Sequence, residues 1–177
     1  MERTWARVGQ GSTWRLGWAP IAVVTASACP CGSKKPYPRC CRPIHAGAAS
    51  ERPEQLMRAR YSAFVQGEVD FLVRTHRPSD GSAVDREGIE RTSRETDWRG
   101  LSVLGRGMTG EDRGWVEFAA RFRGPDGSRG FLHERSEFVR EGGDWFYVGG
   151  APGKPRAPHT LCLCGSGKKT KKCCGRA

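Results

Sequence analysis

Hydrophobic positions along this chain change period once. Between Ser50 and Gly67, Met57, Tyr61, Phe64 and Val65 recur at helical spacing, which sets them on one face of a helix. Ser50 is the expected N-cap, Pro53 suits the first turn and Gly67 ends the helix. A shorter helix should follow: Glu68 or Asp70 starts it, Phe71 and Leu72 give it an apolar side, and Pro78 stops it. Residues 79–97 are polar, and DREGIERTSRE reads as a further helix that Asp85 caps and Gly88 weakens. From Trp98 the period becomes two. Leu101 and Val103 mark one strand, Val116, Phe118, Ala120 and Phe122 a second, Leu132, Glu134, Ser136 and Phe138 a third, and Phe146 and Val148 a fourth. Gly124-Pro125-Asp126-Gly127 and Glu141-Gly142-Gly143-Asp144 carry the turn chemistry between them. Helices first and a strand meander afterwards predict an α+β domain, its helices packed on one face of a curved antiparallel sheet.

Cysteine placement adds two small units to this domain. All eight cysteines fall into one spacing used twice: Cys29, Cys31, Cys40 and Cys41, then Cys162, Cys164, Cys173 and Cys174. Two thiolates one residue apart, a loop of eight and an adjacent pair can converge on one ion, since tetrahedral zinc takes four sulfurs at about 2.3 Å. Gly-Ser follows the second cysteine of each copy, where the backbone must turn back toward sulfur. A disulfide framework fits poorly, because adjacent cysteines bridge only with strain. Two structural zinc ions are therefore the expected cofactors. Four cysteines per ion leave no position for a catalytic water. His45, His76 and His159 could each replace a cysteine, but both sites are already full.

Both clusters resemble the SEC-C motif, the zinc knuckle named for the carboxyl end of the SecA translocation ATPase. With RARYSAFVQGEVDFLVRTH and LHERSEFVREGGDWFYVGG between them, the chain is similar to the bacterial YchJ family from about Ala28 to Gly175. Lys34 stands where the second loop glycine is usual, Thr170 where an aromatic is common, and Leu163 where proline is common. The resemblance implies a cone-shaped middle domain of the cystatin-like or nuclear-transport-factor-2-like kind, with the sheet wrapped around the long helix and a pocket at the open end. It also implies docking to a secretion chaperone or to the ribosome. The expected organisation is a disordered extension or mis-assigned start over residues 1–27, a knuckle at 28–45, the cone at 46–150, a Pro/Gly linker at 151–160 and a knuckle at 161–175.

Charge sharpens the partner class. The formal net charge is +11; eight thiolates against two divalent ions remove four charges, leaving about +7. Beyond Trp145 there is no acidic residue, and Lys168, Lys169, Lys171 and Lys172 crowd one metal loop. They read either as a face for acidic proteins or nucleic acid, or as counter-charge to the zinc-thiolate centre. No stretch is apolar for the ~20 residues a membrane span needs. Arg3, Arg7 and Arg15 before WAPIAVV imitate a secretory signal, but the apolar run is short, holds Pro20 and ends at Cys29. Thiolate knuckles belong in a reducing compartment, so a cytoplasmic protein is expected, its start at Val23 or Val24 if residues 1–24 are an assignment artefact.

His133-Glu134-Arg135-Ser136-Glu137 is the most chemical stretch outside the clusters. On its strand Glu134 shares a face with Leu132 and Phe138, so a carboxylate meets apolar surroundings. Arg58, Arg60 or Tyr61 of the long helix should answer it, because an unpaired buried charge is costly. Three readings stay open: a structural ion pair, a ligand pocket lined by Tyr61, Glu134 and Ser136, or acid-base chemistry. His133, on the alternate face, is expected to be exposed. Trp98, Trp115 and Trp145 read as core and rim; a stacking platform for nucleic acid would need them exposed beside Arg121 and Arg123. With no phosphate-binding loop or nucleophile elbow, a binding or adaptor protein working through its basic knuckle is expected rather than an enzyme. The alternative is a small-molecule or enzymatic pocket around Glu134.

Overall fold

The computed structural model describes residues 27–124, 127–164 and 166–173. Outside them lie the N-terminal stretch through residue 26, Pro125 and Asp126 of the expected turn, Gly165 and residues 174–177, Cys174 among them. After a 3₁₀ turn at Tyr37–Arg39 come four helices: α1 (Arg42–His45), α2 (Pro53–Gln66), α3 (Val69–Arg74) and α4 (Arg86–Glu95). Four strands follow, β1 (Asp97–Met108), β2 (Arg113–Arg123), β3 (Arg129–Glu141) and β4 (Asp144–Pro152), then a second 3₁₀ turn at Thr170–Lys172. The strands form one antiparallel sheet in the order β1-β2-β3-β4. Among the described residues no helix is long and apolar enough to cross a membrane.

α2 organises the core. Its N-cap is Arg52, in extended conformation and without a side-chain cap, rather than Ser50, which is buried two residues upstream. Pro53 supplies the start by fixing φ at the first helical position, and the Glu51 amide donates to Gln55 Oε1 at 2.7 Å. Gly67 closes the helix at φ +74°, a left-handed cap that glycine takes without steric cost. Leu56, Met57, Ala59, Arg60, Tyr61 and Ala63 are all buried, a wider face than the apolar spacing implied. Val65 instead is 40 % exposed. The face is wide because α2 is covered from two sides, by the sheet and by the first cysteine knuckle. Phe138, fully buried among these residues, is a position where truncation to alanine costs about 3–5 kcal/mol.

β2 and β3 alternate as their sequence predicts. Val116, Phe118 and Ala120 oppose Ser136, Glu134 and Leu132 on the helix-facing side. β4 does not follow its predicted face. Gly142 and Gly143, both at positive φ, make a two-residue turn that pairs Glu141 with Asp144. That register sets Tyr147 opposite Phe138 and Trp145 opposite Arg140, so Trp145 and Tyr147 face the helices where Phe146 and Val148 were expected. Phe146 lies under Arg77, whose guanidinium carbon is 4.3 Å from the ring centroid. Irregularities after Trp98, after Val103 and at Glu137/Phe138 interrupt the ladders, and such bulges add the local twist that curves a sheet. Residues 75–79 cover the free edge of β4: the Arg77 amide donates to Tyr147 O at 2.8 Å and the Tyr147 amide to Thr75 O at 2.9 Å. β4 itself runs through Pro152, past the start of the stretch read as linker.

Candidate functional site

The Sγ atoms of Cys29, Cys31, Cys40 and Cys41 lie within 4.8 Å of one another. Cys31 and Cys40 are 3.5 Å apart and Cys40 and Cys41 3.9 Å. A tetrahedron of sulfurs about 2.3 Å from a metal has edges of about 3.8 Å, so the four thiols need little adjustment to hold an ion. None of the seven described cysteines is in a disulfide. The loop closes by the Cys29 amide donating to Lys35 O at 2.8 Å, with Lys34 at φ +63°. A hydrogen bond from Cys41 holds the Cys31 thiol down at about 4, while the same bond and burial push Cys41 up. Lowering this one thiol favours its thiolate, the form that binds soft metals.

The second cluster repeats this geometry. Cys162, Cys164 and Cys173 converge within 4.8 Å, and the fourth expected ligand, Cys174, lies outside the described residues. The Cys162 amide donates to Lys168 O at 2.8 Å, and Gly167 takes, at φ +74°, the conformation of Lys34. Ser33 and Ser166 occupy matching places, 3.1 Å from Cys40 Sγ and 3.2 Å from Cys173 Sγ. His159 is exposed, and among the described residues neither it nor His45 nor His76 joins a cluster. Lys168, Lys169, Lys171 and Lys172 are all exposed.

The two knuckles are attached differently. Tyr37 OH is 2.9 Å from His45 Nδ1, and His45 Nε2 is 2.8 Å from Ala59 O on α2. A carbonyl only accepts, so Nε2 carries the proton and Nδ1 accepts from tyrosine. Burial keeps this imidazole neutral by lowering its pKa. Arg58 adds a hydrogen bond to Cys31 O at 2.7 Å, and Cys29 Sγ touches Ser62 Oγ at 3.8 Å. Cys29, Cys31 and Cys41 therefore belong to the hydrophobic core. In the second knuckle Thr170 replaces the tyrosine, and the hydrogen bonds it donates among the described residues go to Thr160 at the knuckle's base, from its amide to Thr160 O at 2.8 Å and from its hydroxyl to the same oxygen at 3.1 Å; Thr170 and Lys171 also share a crevice with Phe131 and His133 of β3.

Between α2, α4 and the sheet lies a cavity of about 230 Å³. Met57, Phe64, Trp98, Phe118 and Leu132 give it apolar walls; Arg60, His76, Glu134, Ser136 and Tyr147 give it polar groups. Glu134 Oε1 accepts from Ser136 Oγ at 2.6 Å and from Tyr147 OH at 3.3 Å. Burial, reinforced by Glu134, pushes the Tyr147 phenol up to about 12. Gly150 makes room for this carboxylate, since a Cβ there would come within 2.2 Å of Oε1. Arg60 is 6 % exposed. It donates through Nη1 to Leu72 O at 2.8 Å and Thr75 Oγ1 at 2.7 Å, and lies 4.7 Å from the centre of the Tyr147 ring. Burial lowers it to about 10, still a cation at neutral pH. Burial, then Arg60, lowers His76 to about 4. His76 Nδ1 and Trp98 Nε1 are buried without a hydrogen-bond partner among the described residues.

Tyr61, Glu134 and Ser136 thus line one cavity, but the partners expected for Glu134 differ. Arg58 turns away to Glu54 and Cys31, and Arg60 shares the cavity without a direct ion pair to Glu134 among the described residues. Ser136 and Tyr147 bond Glu134 instead; Tyr147 is not legible in the sequence because its face depends on the Gly142-Gly143 register. His76 and Trp98 were likewise not recognised as cavity residues. His133 is not exposed as expected: its side chain is 9 % accessible and bonds Glu117 Oε1 at 2.8 Å. Trp145 is buried and donates to Glu51 O at 3.3 Å, whereas Trp115 lies under Arg135, 3.8 Å from its ring centroid.

Comparison with known proteins agrees with this architecture. Residues 52–150 match the family described as YchJ, middle NTF2-like domain. UPF0225 proteins of Vibrio parahaemolyticus and Vibrio vulnificus are each 44% identical over 168 residues, covering 85% of this chain and 99% of theirs. The crystal structure of a SEC-C motif containing protein from Psychrobacter arcticus is 33% identical with a TM-score of 0.62, covering 85% of this chain and 96% of that one. The solution structure of a SEC-C motif containing protein from Rhodopseudomonas palustris is 36% identical with a TM-score of 0.66, covering 72% and 100%. With the fold, the paired cysteine clusters and these relatives in agreement, the chain belongs to the YchJ-like family of UPF0225 proteins.

Proposed function

We propose that this is a zinc-stabilised binding protein whose cone takes up a small molecule. The cavity of about 230 Å³ carries the reading. Arg60, Glu134, Ser136 and Tyr147 bring polar groups to an otherwise largely apolar lining. An apolar pocket with a few convergent polar groups is what ligand sites share. Zinc suits the sulfur-only clusters better than harder cations, which prefer oxygen. It would hold the first knuckle against α2 and shape the second as a separate unit. Closed Zn(Cys)₄ sites contribute structure, and the thiols favour a cytoplasmic, reducing location.

The test is ligand-detected NMR with a fragment library on the zinc-loaded protein, repeated on Ala120→Phe, which fills the cavity from β2. Fragments that bind the parent and lose binding in the variant support the reading. Fragments that bind both equally, or none that bind the parent, contradict it.

The exposed Lys168, Lys169, Lys171 and Lys172 favour a second, compatible role. A knuckle bound mainly to its own base can present this basic face to an acidic partner surface or to RNA, as the likeness to the SecA tail suggests for a secretion chaperone or the ribosome. Salt-sensitive capture by that face is its signature.

A further inference from the structure

Resting on the reading of the cavity as a ligand site, we infer that its ligand is a neutral, flat, largely apolar molecule that donates one hydrogen bond to Glu134. Charge balance comes first. Arg60 and Glu134 are the charged lining residues, and their charges cancel. His76 and Tyr147 are uncharged near neutral pH. A ligand with net charge would therefore bring an uncompensated charge into a half-enclosed apolar space, which is unfavourable unless it is paired. Arg60 is poorly placed to pair an incoming anion, since Nη1 is already committed to Leu72 and Thr75 and the guanidinium lies over Tyr147. An ammonium would neutralise Glu134 and leave Arg60 without its counter-charge.

Hydrogen bonding supplies the donor. A carboxylate only accepts. Glu134 Oε1 already receives two hydrogen bonds, from Ser136 and Tyr147, while Oε2 receives none among the described residues. An O–H or N–H on the ligand edge answers that oxygen. Shape follows from the walls. Phe64, Trp98 and Phe118 are aromatic lining residues, and Trp98 meets Tyr61 edge-on at 5.9 Å and Phe122 edge-on at 6.0 Å, an arrangement that favours ring faces and edges. A cavity of about 150 Å³ takes up benzene, so the larger volume here suits a two-ring molecule.

Four probes of one shape test this on the full zinc-loaded chain: 2-naphthol, naphthalene, 2-naphthoate and 2-naphthylmethylammonium, titrated by tryptophan fluorescence and calorimetry. The expected result is 2-naphthol at least tenfold tighter than each of the others. Glu134→Gln should erase its advantage over 2-naphthoate, because Arg60 then lacks a counter-charge. Ala120→Phe, or Leu132→Trp at the rim should the first not fold, should abolish all binding. If no probe binds, or binding survives both filling variants, the ligand-site reading itself falls. If probes bind in the cavity but a charged one equals or exceeds 2-naphthol, that reading stands and the neutral class is overturned. Equal binding of naphthalene and 2-naphthol would overturn the donor to Glu134. The parent protein alone decides these last two points, whatever Glu134→Gln does to folding.

Discussion

Tyr37 donates to His45 Nδ1 at 2.9 Å, and His45 passes the contact on to Ala59 O at 2.8 Å. One tyrosine thereby fastens a cysteine knuckle to the central helix. Tyr37→Phe removes a single part-buried hydrogen bond and should lower stability by about 1 kcal/mol, with a larger loss for Tyr37→Thr, which also removes the ring. Thr170→Ala, at the equivalent place in the second knuckle, should leave the unfolding midpoint of the cone unchanged. Thermal unfolding followed by near-UV circular dichroism checks both; equal effects of the two knuckles would show that attachment does not run through Tyr37.

Metal removal should be asymmetric for the same reason. Elemental analysis is expected to give two zinc ions per chain, and X-ray absorption to give sulfur-only ligands. Cys29→Ser disturbs a residue of the core and should destabilise the whole domain, whereas Cys162→Ser should lose one zinc with little change in the midpoint. Nitrogen ligation, or a single ion, would contradict the site assignment.

Lys34 adopts φ +63° where Gly167 adopts φ +74°. A side chain in the left-handed region costs about 1–2 kcal/mol, and glycine gives back about 0.5–1 kcal/mol through its freer unfolded chain. Lys34→Gly should thus be neutral to stabilising by up to about 1.5 kcal/mol, and Gly167→Lys destabilising to the second knuckle. Zinc-chelator competition on each variant reads the two loops separately.

His76 sets an acid limit. Its folded pKa is about 4, lowered by burial and Arg60, against about 6.5 in the unfolded chain. Between these values the unfolded state binds the extra proton, so this contribution is complete above about pH 6.5 and lost as pH falls toward 4. His76→Phe keeps a ring against Tyr147, now 4.9 Å from the imidazole, and should flatten that part of the profile. Denaturant midpoints from pH 7.5 to 4 for parent and variant measure the difference; parallel curves would assign the acid loss to other groups.

Changing Lys168, Lys169, Lys171 and Lys172 together to Gln touches no cysteine and should leave zinc content intact. Capture of an acidic partner or RNA should weaken and lose its salt dependence. Capture unchanged at low and high salt would leave the lysines as counter-charge.

The parts legible in the sequence were those set by short-range spacing. The intervals between clustered cysteines, the alternation of Val116 to Phe122 and of Leu132 to Phe138, and the Asp85 cap, which accepts from the Gly88 amide at 2.9 Å, all act within a few residues. Tyr147 was hidden because its face follows from pairing across the Gly142-Gly143 turn and not from its own neighbours. The split between knuckles was hidden because Tyr37 works through His45 on a carbonyl of another helix. Glu134 is recognisable as a carboxylate on an apolar face, but of its two partners Ser136 lies two residues along its own strand and Tyr147 on β4, whose helix-facing side the sequence does not reveal.

The indole N–H of Trp98 reports on the cavity most directly. The Trp98 ring lines the cavity, and its N–H, itself buried and without a partner among the described residues, senses a bound aromatic through ring currents, whereas Trp145 Nε1 is committed to Glu51 O. In a two-dimensional nitrogen-proton spectrum titrated with 2-naphthol, the Trp98 indole resonance should move in a saturable way while that of Trp145 stays in place. A Trp98 resonance that does not respond to any cavity-sized fragment would contradict the claim that this cone binds a ligand.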